Sequence, residues 1–253
     1  MKWIYISPHL DDAVYSCGGF IWEQVHAGES VEIWTICAGD PPPAPFSDFV
    51  IAIHRRWGTG DHSMPARRKE DLDACRALGV TAVHFDIPDC IYRRNPLTGE
   101  PIILREEDLW QPTLPVEYPL VEQIYRQIKY RLPGGAKLVS PLGMGGHMDH
   151  HLVRTALERL DQPLYYYADY PYAADERVKI EDWLCGTCKP YDQPIRPDAL
   201  EAWKQAVAAY RSQISTFWGG IPELRSALDD YLKKGGGTRL WTSIPPSVDE
   251  TDR

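Results

Sequence analysis

Residues 3–7 form a short apolar, partly β-branched run that stops at Pro8. Beyond it, residues 13–27 set Val14, Cys17, Ile21 and Val25 on one helical stripe that Gly28 closes. Residues 31–37 make the next apolar strand, and the long helical connection requires the two strands to run parallel. The alternation continues with a helix over 65–78 ended by Gly79, a strand over 82–87, a helix over 119–132 and a strand over 137–140. A helix over 149–160, an apolar run over 164–167 and helices over 197–213 and 222–233 complete the pattern, with a frayed tail over 247–253. This order predicts an α/β fold, a three-layer α/β/α Rossmann-like domain around a mostly parallel sheet. No repeat or linker divides the chain, so residues 1–253 are expected to form one domain.

Two connections are long, residues 38–66 with Pro41, Pro42 and Pro43, and residues 88–115. Both follow the carboxyl ends of strands, the edge where an open parallel sheet carries its ligand crevice.

Composition narrows the partners. At 253 residues, 43% hydrophobic and 25% charged, the chain has the make-up of an ordinary globular protein. The formal charge of -9 argues against a phosphate-backbone partner, so no nucleic acid is expected. No stretch reaches membrane-spanning length, and the apolar start is broken too early for a signal peptide, which leaves a cytoplasmic location as the expectation. Homo-oligomers remain open. Cys17, Cys37, Cys75 and Cys90 sit singly among apolar neighbours and read as core, whereas Cys185 and Cys188 have metal or redox spacing without a second pair, and read as a surface loop with two thiols.

Chemistry concentrates in two clusters, Pro8-His9-Leu10-Asp11-Asp12 and Gly146-His147-Met148-Asp149-His150-His151, each just after a predicted strand. If those strands lie in one parallel sheet, both clusters emerge at the same edge. His9, Asp12 and His150 then supply three nitrogen and oxygen ligands, and three protein ligands leave a position open for water, as in catalytic zinc sites. Asp11, beside Asp12 yet directed elsewhere, becomes available as a base for the attacking water. His147 is left as a cationic donor to a developing oxyanion or as an acid to the leaving group, and Asp149 orients a neighbouring imidazole. The competing reading makes Asp11 or Asp12 a helix cap and residues 147–151 a solvated helix start.

These motifs resemble the LmbE-like, or PIG-L, family of zinc-dependent de-N-acetylases. The resemblance extends to Ser16-Cys17-Gly18-Gly19, Ala38-Gly39-Asp40, Arg67-Arg68-Lys69-Glu70 and Pro88-Asp89, with a looser match at Tyr210-Arg211-Ser212-Gln213. It covers residues 1–172 well and residues 173–253 poorly. By this resemblance Zn2+ is held by His9, Asp12 and His150, Asp11 is the base, His147 serves the transition state, and Arg67 and Asp89 contact the sugar or its aglycone. Asp40 joins them as a candidate substrate contact. Arg67 also reads as a helix-surface charge paired with Glu70 or Asp71, and Asp40 and Asp89 as turn formers. His54 and His62 are expected to be solvated, while Trp57, Trp110 and Tyr92 offer rings for stacking on a pyranose.

The implied activity is hydrolysis of an N-acetyl group on an N-acetylglucosamine-type sugar or glycoconjugate. An amidase acting on another N-acyl or thiol-sugar conjugate, and a non-catalytic carbohydrate-binding domain of the same fold, are the rival readings.

Overall fold

The computed structural model describes residues 1–184 and 186–243. Cys185 and the tail expected over 247–253 lie outside the described residues. Strand β1 (Lys2–Ser7) pairs parallel with β2 (Ser30–Thr35) on one side and with β4 (Lys137–Pro141) on the other. Strand β3 (Thr81–His84) extends the sheet beyond β2, and β5 (Leu164–Tyr167) extends it beyond β4, all parallel. Two short strands, β6 (Cys188–Asp192) and β7 (Arg239–Ser243), finish the sheet antiparallel in the order β3-β2-β1-β4-β5-β7-β6.

Helices α1 (Asp12–His26) and α3 (Ser63–Leu78) pack on one face, α4 (Tyr118–Arg131) and α5 (Met148–Leu157) on the other. The alternation in β1 explains the layering: Trp3 and Tyr5 enter the first core, Ile4 and Ile6 the second, so a strand buried on both sides reads as a continuous apolar run. Cys17, Cys37, Cys75 and Cys90 are buried free thiols, as expected.

Three elements depart from the sequence reading. The first long connection is not structureless, because α2 (Asp48–Trp57) occupies its middle, with Ser47 Oγ accepting from Val50 N and Gly58 ending the helix in the left-handed region. The single helix expected over 197–213 is two, α6 (Pro197–Val207) and α7 (Arg211–Phe217). The turn between them lets Tyr210 donate to buried Asp71 at 2.7 Å. Strands β6 and β7 were not anticipated; they are short and polar, and Pro190 is tolerated because β6 is an edge. Cys188 therefore opens a strand rather than sitting in a loop. Helix α8 (Ile221–Lys233) follows its expected span closely.

The sheet order reverses between β1 and β4, and that is where an open α/β sheet forms its crevice. Against the first face, α6 lies close on α1. The indole Nε1 of Trp203 donates to Val14 O at 2.7 Å, and a Cβ placed on Gly18 would meet Trp203 Cδ1 at 2.2 Å. Gly18→Ala is therefore expected to destabilise the protein by about 1–3 kcal/mol through overpacking. Urea unfolding measures this, and an unchanged midpoint would contradict the close packing.

Candidate functional site

Both histidine clusters do emerge at the reversal point. Residues 8–11 form the turn from β1 into α1, and residues 142–147 the turn from β4 into α5. Asp11 is the residue before α1, yet its carboxylate makes no capping bond. Ser7 takes that task, with its Oγ accepting from Ala13 N at 3.1 Å. The capping alternative for Asp11 therefore fails, and its carboxylate is left facing the cleft. In the second turn Gly145 carries φ +88°, and a Cβ there would strike the Tyr172 ring at 2.6 Å, so glycine meets two demands at once.

The centre is a carboxylate between two imidazoles. Asp12 Oδ2 lies 3.2 Å from His9 Nδ1, and Asp12 Oδ1 lies 3.3 Å from His150 Nε2. The outward nitrogens are held by buried carboxylates: His9 Nε2 is 3.1 Å from Asp149 Oδ2, and His150 Nδ1 is 2.7 Å from Asp169 Oδ1. This is the arrangement in which an outer carboxylate orients a ligating imidazole. Ring nitrogens of His9, His147 and His150 lie within 4.8 Å of one another.

Charge makes the same case. Buried Asp11, Asp89, Glu117, Asp149 and Asp169 and half-buried Asp12 crowd the site, where Arg67 pairs with Asp11 and Asp89, and Arg93 with Glu117 and Asp149. The imidazoles respond to the surplus. Burial alone would lower His9, but Asp89 and Asp12 raise it well above the usual imidazole range. Burial likewise opposes protonation of His150, and Asp12 with Asp169 outweighs it, pushing the ring up to about 10. A pocket that draws protons onto two imidazoles is short of positive charge, and its nitrogen and oxygen donors suit a divalent cation.

Asp11 sits beside this centre with its carboxyl pushed up to about 7, by burial first and by the neighbouring Asp12 charge second, with Arg67 opposing. Arg67 Nη2 is 3.6 Å from Asp11 Oδ2, and Nη1 is 3.6 Å from Asp89 Oδ2. Arg67 is thus buried within the site and stacked over Trp57 at 4.6 Å, not a helix-surface charge paired with Glu70 or Asp71. Glu70 has another role. Its two oxygens accept from Ser212 N at 2.9 Å and Ser212 Oγ at 2.6 Å, so two motif fragments that are weak separately meet in space.

His147 differs from the cationic donor expected of it. Its Nδ1 accepts from the Asp149 backbone N–H at 3.2 Å, which requires an unprotonated nitrogen there. Burial, and then the nearby His9 and His150, hold its pKa well below the usual range. With Nδ1 accepting, the position left for a ring proton is Nε2.

Asp89 serves both readings. Its Oδ1 accepts from Ile91 N at 3.1 Å as a turn former would, while Oδ2 faces Arg67 and His9. Asp40 is not brought to the cleft; its side chain is 66% exposed and pairs with Arg68 at 2.7 Å. His54 is not solvated as expected but buried, with Nε2 2.7 Å from Tyr92 Oη, which directs Tyr92 toward α2; His62 is exposed. Trp57 and Trp110 do line the cleft, whose volume is about 250 Å³.

Asp169, Arg93 and Glu117 escaped the sequence reading. Asp169 follows β5, so the strand-end rule that picked out the other acids applies to it equally. Arg93 lies in the second long connection and donates to Asp149 Oδ1 at 2.5 Å and to Glu117 Oε1 at 2.6 Å. Helped by that guanidinium against the penalty of burial, Asp149 stays ionised well below the usual carboxylate range. Arg93→Met should therefore cost about 3–5 kcal/mol of stability, because it leaves buried Glu117 without its cation and strips Asp149 of its guanidinium partner. A denaturation midpoint within error of wild type would refute that pairing.

Known proteins resemble this chain in both sequence and fold. A model of the GlcNAc-PI de-N-acetylase (PIG-L) family matches residues 4–160. The chain is 28% identical over 204 residues to 2'-N-acetylparomamine deacetylase of Niallia circulans, covering 71% of this chain and 70% of that one. Among solved structures, the zinc-inhibited form of teicoplanin deacetylase superposes with a TM-score of 0.81 at 26% identity, covering 98% of this chain and 100% of that chain. The deacetylase of A40926 pseudoaglycone does so with a TM-score of 0.70 at 28% identity, covering 94% of each. The structural likeness thus extends past residue 172, beyond which the sequence resemblance faded. No helix among the described residues is long and apolar enough to cross a membrane. By its sequence motifs and by the family match over most of its length, the chain belongs to the PIG-L family of de-N-acetylases.

Proposed function

We propose that this protein is a metal-dependent hydrolase that removes an N-acetyl group from an amino sugar or its glycoconjugate. The observation that carries the reading is the Asp12 carboxylate bridging His9 and His150 from turns about 140 residues apart, with Asp11 beside it making no helix-capping bond. His9, Asp12 and His150 would hold the ion, with zinc the proposed metal. When bound, it would supply Lewis acidity toward the acyl oxygen and lower the pKa of a water.

The chain's own groups carry the proton chemistry. Asp11 is placed to take a proton from the attacking water as oxygen bonds to the acetyl carbon. The neutral His147 keeps a hydrogen on Nε2 to donate to the developing oxyanion. Asp11 then returns its proton to the departing nitrogen as the carbon–nitrogen bond breaks, so that water and amide become acetate and free amine. Arg67 opposes full protonation of Asp11 and holds Asp89 at the cleft wall. Trp57 and Trp110 offer apolar faces to the sugar ring. Asp40, exposed and paired with Arg68 away from the cleft, takes no part in holding the reacting sugar.

Metal-replete protein incubated with small N-acetylated sugars should release acetate, read by mass spectrometry as loss of an acetyl mass. Asp11→Asn and His147→Gln should each lower kcat by roughly a hundredfold or more while bound metal stays stoichiometric. His9→Ala should lose the metal itself. Metal loss from Asp11→Asn, or full activity in it, would overturn the assigned roles. Protein that binds no metal and ignores every N-acetyl sugar would favour a carbohydrate-binding role.

A further inference from the structure

Of the buried side-chain polar atoms without a partner among the described residues, three belong to residues that line the catalytic cleft: Tyr15 Oη, Arg67 Nε and Thr216 Oγ1. The others are scattered through the chain. A buried polar atom without a hydrogen bond is costly, and three on residues that line a single cleft point to partners that arrive with a ligand.

Tyr15 is the clearest case. It is 2% exposed, and its ring is fixed by edge contacts to Tyr210 at 5.5 Å, Trp218 at 5.4 Å and Phe217 at 6.2 Å. Its hydroxyl cannot swing away to find a partner. Thr216 lies on α7, between Gln213 and Phe217, which also line the cleft. Neither Tyr15 nor Thr216 belongs to the motifs that carry the family resemblance, and α7 lies beyond the stretch that the family model matches.

The chemistry of the trio selects the ligand. Two hydroxyls both donate and accept, and a guanidine N–H donates, which matches neutral hydroxyl groups. The charge of Arg67 is already met by Asp11 and Asp89, so no net positive charge is left over for an anion. We propose that Tyr15 and Thr216 form a hydroxyl-recognition subsite, at the seam of α1 and α7, that selects among amino sugars by the presence of a ring or aglycone hydroxyl. The inference rests on the amino-sugar reading of the cleft and adds the residues that discriminate within that class.

The test is a cycle between variant and ligand. Tyr15→Phe and Thr216→Val keep the packing and remove only the hydroxyl. They are assayed against the methyl glycoside of N-acetylglucosamine and its singly deoxygenated forms, and by calorimetric binding of the corresponding free amines. Wild type should prefer the intact sugar over one deoxy form by roughly tenfold in KM or Kd, and Tyr15→Phe should abolish that one preference with kcat little changed. Its Tm should be unchanged or higher, since no internal hydrogen bond is lost; a clear drop in Tm would mean the hydroxyl has a structural partner and would overturn the proposal. Retention of every preference in both variants, or failure of wild type to bind any of the sugars, would also overturn it. Sugars that bind with the expected preferences but are never hydrolysed would sink the deacetylase reading and leave the subsite standing.

Discussion

One carboxylate shared between two imidazoles organises the site. Asp12 cannot be far from either His9 or His150, because β1 and β4 are hydrogen-bonded neighbours and both turns leave the sheet at the same end. So many acids in a buried space call for positive charge, which Arg67, Arg93 and the raised imidazoles supply in part and a divalent cation would complete. The protein therefore concentrates a charge deficit at the place where the sheet order reverses. Arg93 reaches in from the second long connection to neutralise the outer ring of carboxylates. What is left inside is the deficit that a divalent ion would fill.

Division of labour between adjacent residues follows from local backbone geometry. At the start of α1, Ser7 assumes the capping bond, so Asp11 and Asp12 are both released from helix chemistry. Asp12 accepts from His9 N at 2.6 Å and is drawn toward the imidazoles, while Asp11 points to Arg67. Neighbours in sequence thus acquire opposite electrostatic fates: the pKa of one is held far down despite burial, chiefly by His150 and His9, and that of the other is raised to about 7. Such a split between paired carboxylates is the usual basis for giving one of them structural work and the other proton transfer.

Much of this was legible in the sequence. Strands buried on both faces read as unbroken apolar runs, and the convergence of His9, Asp12 and His150 could be read because short strand-to-helix turns leave little freedom in where their residues go. The losses have physical causes. Helix α2 carried its own cap signals at Ser47 and Gly58, but the prolines before it masked them. Strands β6 and β7 pair antiparallel at an edge, where no two-sided apolar pattern is required. His54 read as a solvated group, and the surface-charge alternative for Arg67 stayed open beside its family match, because their partners Tyr92 and Asp89 come from distant loops that periodicity cannot join. The protonation of His147 depends on a single backbone N–H, which residue type alone does not reveal.

Anomalous diffraction at the zinc edge, from crystals grown with stoichiometric zinc, tests the central claim most directly. The account predicts one strong peak bounded by His9, Asp12 and His150. No peak there, or a principal peak elsewhere in the molecule, would contradict it.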